Sequence, residues 1–285
     1  MIEILVEQGS DEWHELRRNK IGASMAPIIM EMSPWKTPYK LWREILGLDP
    51  KQETNDAMIR GNQLEPIARS EFENMTGIKV FPKVFMHDRY PWMMASLDGI
   101  DDSKQHVVEI KCPGRTDHEM ALDGIIPGKY IPQLQHQMEV CGVNSMFYFS
   151  FNGSSGKILE LNRDDAYIES LLHKEFLFWK CVQDLEEPDL SDKDYIIRED
   201  DEWSQFSSNW ISVQSKIKEL VKEEEELRKS LISLAGNCNV KGAGVKLSRL
   251  IRKGNVDYKA IPEIQDIDID KYRKSPIETW RLGVI

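Results

Sequence analysis

Residues 93–113 read Met-Met-Ala-Ser-Leu-Asp-Gly-Ile-Asp-Asp-Ser-Lys-Gln-His-Val-Val-Glu-Ile-Lys-Cys-Pro. Two apolar runs of strand length flank the acidic turn Asp101-Asp102-Ser103-Lys104, which predicts a β-hairpin. Asp98 ends the first run, and Glu109 and Lys111 lie near the end of the second. Residues two apart on a strand face the same side, so Glu109 and Lys111 point together while Ile110 points into the core. Pairing of the runs brings Asp98 within reach of Glu109. Two carboxylates and an amine on one face suit a hard divalent cation, the carboxylates as ligands and the amine steadying a water or a developing anion. A solvated cross-strand charge pair would show the same residues. The acid-x-Lys spacing also recurs at Asp102-Ser103-Lys104 and Asp257-Tyr258-Lys259, so the neighbouring segments have to decide.

The 285 residues suffice for one large domain, or for one domain with an appendage. Charged residues at 30% and hydrophobic ones at 41% fit a soluble globular chain. No apolar run has membrane length and no signal peptide is evident, so a cytoplasmic protein is expected, with no membrane contact. Cys112, Cys141, Cys181 and Cys238 are scattered without a Cys-x-x-Cys, which argues for a reducing compartment and against zinc or iron–sulfur sites. A net charge of −11 makes the chain a poor non-specific DNA binder. Any nucleic-acid site must be local and basic, or bridged by metal.

Along the chain, 10–20 reads as a first helix with Trp13 and Leu16 buried and Arg17 and Arg18 at its basic end. Ser24 is suited to cap a helix running to Met30, whose N-terminus could hold a phosphate; simple capping is the other reading. Residues 31–40 form a Pro-punctuated loop in which Trp35 and Lys36 are candidates for DNA contact, unless Trp35 packs on the core. A helix from Asn55 or Asp56 to about Met75 carries Gly61, whose cost of roughly 1 kcal/mol in a helix hints at close approach on that face. Glu65 lies on this helix as a functional or merely surface acid. After a strand at 79–87 and the hairpin come helices at 117–122 and 130–142. The second has Leu134, Met138 and Cys141 as its apolar stripe, with Gln133 and Gln137 sharing another face. Strands at 146–151 and 157–161 and a long helix at 164–184 complete an α/β sheet with helices on both sides.

These pieces fit one pattern: a Gly61-x-x-x-Glu65 helix, then Ser96-x-Asp98-Gly99, then Glu109-x-Lys111-Cys112-Pro113, then Tyr130-x-x-Gln133-x-Gln135. With Trp13…Arg17…Gly22-Ala23-Ser24 and Ser33-Pro34-Trp35-Lys36-Thr37-Pro38 ahead of them, residues 8–182 resemble the YqaJ/lambda exonuclease family of phage recombination nucleases, within the PD-(D/E)xK superfamily. The resemblance implies a restriction-endonuclease-like mixed central sheet flanked by helices. It further implies a 5′→3′ exonuclease on linear double-stranded DNA that leaves 3′ overhangs for a single-strand annealing protein. By the same resemblance, Asp98, Glu109 and the Ile110 carbonyl bind Mg²⁺ (Mn²⁺ substituting), Glu65 lies near a second ion, and Lys111 orients or activates the water. Gln133 positions that water or Lys111, Arg17 and Ser24 hold the 5′-phosphate, and Ser96 contacts the scissile region. The family's rings are typically trimers, so a homo-oligomer around duplex DNA ends is expected. A restriction-like or Cas4-like nuclease of the same fold and a non-catalytic DNA-end-binding protein are the alternatives.

From 186 the character changes. An acidic linker is expected over 186–202, then an amphipathic helix over 203–236, then a small basic-aromatic module over 237–285. Trp203, Phe206, Trp210, Val213, Ile217, Leu220, Glu224, Leu227, Leu231 and Leu234 form a heptad seam broken by Glu224. Internal packing, dimerisation and partner binding all fit it. Lys241, Lys246, Arg249, Arg252 and Lys253 follow without an acid, ahead of an aromatic-basic tail to Trp280. That module would touch DNA or a recombination partner, or cap the helix.

Overall fold

The two apolar runs beside the acidic turn do pair, and the sheet extends outward from them. The computed structural model describes residues 1–18, 20–49 and 56–252, with 254, 261 and 267. The chain divides into two compact units, Met1–Tyr195 and Ile196–Ile285.

In the first unit, β1 (Ile2–Ile4), β2 (Ile21–Gly22), β3 (Phe81–Met86), β4 (Met93–Ile100), β5 (Val107–Lys111), β6 (Ser145–Phe151) and β7 (Gly156–Asn162) form one mixed sheet. Its order is β1-β3-β4-β5-β6-β7, with β2 added in parallel beside the start of β4. The other neighbours are antiparallel except β5 and β6. A parallel pair needs a crossover, which α5 (Arg115–Leu122) and α6 (Ile131–Cys141) supply. The hairpin turn is locked by the Asp101 carboxylate, which accepts the N–H groups of Gln105 at 2.9 Å and His106 at 2.8 Å. Lys104 takes the left-handed conformation there, at φ 58°. The turn sets the register Ile100↔Val107 and Gly99↔Val108, and with it which carboxylates meet. At Gly99 any side chain would collide, because a Cβ would lie 2.7 Å from Val80 Cγ2 and 2.8 Å from Val108 Cγ1.

Alternation along the strands sorts the core into two layers. Val107, Met146 and Tyr148 join Leu134 and Met138 of α6 and Phe178 of α7 (Asp165–Asp184), along with Leu41 and Trp42 of α3 (Pro38–Ile45). Val108, Ile110, Phe149 and Phe151 meet Ala68 and Phe72 of α4 (Asp56–Thr76) instead. Helices therefore cover both faces. The expected stripe of Leu134, Met138 and Cys141 is buried, each of the two larger side chains contributing about 1.5–3 kcal/mol.

Three expectations change. Ser24 caps no α-helix: it sits within a 3-10 turn, Ala23–Met25, and the four-residue α2 (Ala26–Ile29) after it starts from Met25 without a side-chain cap. With so short a helix, no phosphate-holding helix end exists at this point. Nothing approaches Gly61 closely, since a Cβ there would meet no atom within 4 Å. The acidic stretch from 186 is not all linker. Asp194 accepts hydrogen bonds from Thr37 Oγ1 at 2.5 Å and from the Ser191 N–H at 2.9 Å, so the first unit runs past 185 to Tyr195.

The second unit contains α8 (Asp201–Ala235) and an antiparallel hairpin of β8 (Val240–Gly242) and β9 (Val245–Leu247). No residue of α8 is buried. Lys253 and, apart from residues 261 and 267, the tail expected over 256–280 lie outside the described residues. No helix among the described residues is long and apolar enough to cross a membrane.

Candidate active site

The β4–β5 ladder ends at Gly99 and Val108, one residue before Asp98 and Glu109. Freed from pairing, the Asp98 carboxylate turns to its neighbour strand and accepts the Ile110 N–H at 2.8 Å. Ile110 is thus more than a spacer, although its side chain stays in the α4-side core as expected. Glu109 points the other way, toward α6, and is only 2% exposed. Its Oε1 accepts from Gln133 Nε2 at 2.5 Å and from Lys111 Nζ, and its Oε2 accepts from Gln137 Nε2 at 2.6 Å. A buried carboxylate requires such donors, because water is no longer there to solvate it. Glu65 reaches in from α4 and is held by Arg69 at 2.6 Å. Arg69 Nε also donates to the Asp98 carbonyl at 2.8 Å, tying α4 to the end of β4.

The electrostatics are those of a site with surplus negative charge. Burial first, and then the charge of Glu109, push the Asp98 carboxyl well above the ordinary carboxylate range. Glu65 adds to this, while Lys111 opposes it. Burial works against the charge of Lys111, but Glu109 and Asp98 outweigh it and hold the amine above its usual value. Three carboxyls thus share two cations, Lys111 and Arg69. All the side-chain donors are oxygens, the choice of a hard cation such as Mg²⁺. Among the described residues, however, no three acidic, histidine or cysteine side chains converge as a finished metal centre. Lys111, Arg69 and the two glutamines hold the carboxylates instead.

A second cluster lies two residues back along β4. Trp13 on α1 (Asp11–Arg18) donates its indole N–H to Ser96 Oγ at 2.9 Å. The Arg17 guanidinium lies over the same indole, 4.2 Å from the ring centre, and donates to Ser24 Oγ at 3.2 Å. Burial lowers the pKa of Arg17, and among the described residues no carboxylate is bonded to it. Ser96, Trp13, Arg17 and Ser24 are therefore joined in one chain of contacts.

Trp35 does not pack on the core, being 72% exposed. Lys129 Nζ sits 4.7 Å above its ring and pairs with Asp117 at 2.7 Å, and Asp117 also accepts from Tyr130, whose ring lies under Lys111. Lys36 is paired with Glu44, so its charge is already engaged. The motif residue Gln135 is structural: it donates to the Asn162 carbonyl at 3.0 Å and accepts from the Asp164 N–H. Gln137, Arg69 and Trp13 are site residues to which the sequence assigned no role there, although Trp13 stands in the entry motif and Gln137 shares a face with Gln133. For Gln137 a signal existed, since it lies one helical turn from Gln133.

The sheet, with acids and a lysine at the ends of its central strands, defines a domain of the restriction-endonuclease-like class. Residues 12–144 match the YqaJ-like viral recombinase domain. An uncharacterized protein, YqaJ, of Bacillus subtilis (strain 168) is 33% identical over 179 residues, which cover 61% of this chain and 56% of that protein. The chain thus spans a little over half the length of this relative. An alkaline exonuclease (LHK-Exo) from Laribacter hongkongensis superimposes with a TM-score of 0.55 at 27% identity, over 62% of this chain and 94% of that one. The same enzyme in complex with dAMP gives 0.55 at 26%, with the same coverage. By these matches the N-terminal unit is similar to the YqaJ-like viral recombinase domain and to a solved alkaline exonuclease.

Proposed function

We propose that the N-terminal unit is a divalent-cation-dependent nuclease that digests linear double-stranded DNA from 5′ ends and leaves 3′ single strands. The observation that carries this reading is the Asp98–Glu109–Lys111 cluster with Glu65, in a unit similar to a solved alkaline exonuclease. Asp98 and Glu109 would hold Mg²⁺, with Glu65 serving a second ion and the Ile110 carbonyl a further ligand; Mn²⁺ fits the same oxygens. Such an ion neutralises phosphoryl oxygens and makes a bound water a better nucleophile. Gln133 and Gln137 fix the orientation of Glu109. Lys111, released from Glu109, would orient the attacking water by a hydrogen bond or stabilise the negative charge that develops on the phosphoryl oxygens. Arg17 and Ser24 would hold the terminal 5′-phosphate, and Ser96, fixed by Trp13, the linkage beside it. End anchoring of this kind makes a cleaving site stepwise, because each new end is presented in one geometry.

The acidic balance of the chain fits an enzyme that encloses its substrate rather than attracting it by net charge. A homo-oligomeric ring, a cytoplasmic setting and a single-strand annealing partner belong to the same proposal. The test is digestion of linear duplex in Mg²⁺, with and without a 5′-phosphate, against covalently closed circles. Degradation that needs an end, prefers the phosphate and is lost in Asp98→Ala supports the reading. Equal cutting of circles would favour a restriction-like endonuclease, and binding of ends without hydrolysis a non-catalytic end-binding protein.

A further inference from the structure

Helix α8 is 35 residues long and none of them is buried. Its seam steps by three and four from Trp203 to Leu234, the a/d pattern of a coiled coil, and is apolar except at Glu224. Phe206 is 65% and Leu220 63% exposed, a costly way to leave a regular apolar stripe. We propose that this face docks α8 of a second copy of the chain, running antiparallel. The proposal does not depend on the nuclease reading.

Three features select this occupant and this direction. The aromatics Trp203, Phe206 and Trp210 fill the N-terminal half of the seam, and Leu227, Leu231 and Leu234 fill the C-terminal half. Antiparallel pairing centred between Lys218 and Glu219 sets each aromatic of one copy against a leucine of the other. Parallel pairing stacks tryptophan on tryptophan and faces Glu224 with Glu224, two like charges in a closing seam. In the antiparallel register Glu224 meets the smaller Val213. The flanking positions agree. Lys216 of each copy falls beside Glu223 of the other, twice by symmetry. A parallel pair would gain a Glu223–Arg228 contact, but only together with the Glu224 clash. The ends agree as well. Glu199 and Asp200 precede α8 and Asp201 and Glu202 open it, whereas the hairpin after it exposes Lys241 and Lys246 and the segment beyond the hairpin exposes Arg249 and Arg252. An antiparallel pair lays the acidic start of one helix beside the basic end of the other, and opposes the two helix dipoles.

The test uses the full chain with Cys238→Ser as background. Phe206→Cys and Leu231→Cys proteins are oxidised separately and mixed. Cross-linked dimer on mixing, with little from either alone, is expected. Self-linked Phe206→Cys, or no linkage on mixing, overturns the antiparallel pair. In sedimentation equilibrium, Lys216→Glu should weaken self-association about tenfold, as two exposed attractions become repulsions. Lys216→Glu combined with Glu223→Lys should restore it. Masses unchanged by both would mean that α8 is covered by other means, residues 255–285 or a different protein, and would overturn the proposal.

Discussion

His136 and Glu175 face each other at 2.7 Å, and neither is exposed to solvent. The other ring nitrogen of His136 lies 2.9 Å from the Met94 carbonyl. One side chain thus fastens α6, the helix that presents Gln133 and Gln137 to Glu109, to both β4 and α7. A carbonyl only accepts, so Nε2 carries a proton, and a second proton lies between Nδ1 and the carboxylate. His136→Ala strips a buried carboxylate of its partner and should cost about 3–5 kcal/mol in denaturant unfolding. His136→Leu together with Glu175→Leu should cost less than either change alone. Strict additivity of the two losses would count against a coupled pair.

Asp98 makes the fold less stable than it could be. Its folded-state pKa lies above the unfolded value of ~3.9, so the native state holds the proton more tightly. Stability from this group is whole at low pH and is lost as pH rises through the raised pKa. Asp98→Asn removes the penalty. Without divalent cations, its melting temperature at neutral pH should exceed that of the parent by a few degrees, the gap closing as pH falls toward ~4. Nuclease activity of the parent should rise with pH through the same titration, since only the ionised carboxylate serves a cation.

Gln137 should matter as much as Gln133. Gln137→Ala takes a charge-assisted hydrogen bond from Glu109 and should lower activity about ten- to hundredfold. Because the proposed role of Glu109 is to hold the cation, the Mg²⁺ concentration for half-maximal rate should rise with it. A fall in rate with unchanged Mg²⁺ dependence would assign Gln137 a purely structural role. Gln135→Ala, by contrast, should affect melting more than the Mg²⁺ dependence.

Arg17→Ala should reduce the preference for 5′-phosphorylated over 5′-hydroxyl ends about ten- to hundredfold, in line with one or two lost charge-assisted hydrogen bonds. Arg17→Lys should recover little, because an ammonium does not stack on Trp13 as the planar guanidinium does. Paired rate measurements on the two ends separate this effect from general loss of activity.

The hairpin, its turn and the helix layers were legible because they rest on local patterns: alternation in β4 and β5, turn chemistry at Asp101, and the stripe through Leu134, Met138 and Cys141. The site was legible only in part, because its geometry depends on contacts distant in sequence. Gln135 and Gln137 look alike on α6, yet the Asn162 carbonyl claims one and Glu109 the other. Ser24 has the composition of a helix cap, but a 3-10 turn and an α-helix begin with similar residues. Lys36 reads as a free cation until Glu44, one helix further on, engages it.

The hydrogen bond from the Ile110 N–H to Asp98 gives the site an internal reporter. A cation that takes Asp98 Oδ2 would lengthen or break that bond, while the paired amides further along β5 stay protected. Hydrogen exchange at one backbone position would then count occupancy directly, even in a variant that cannot cleave.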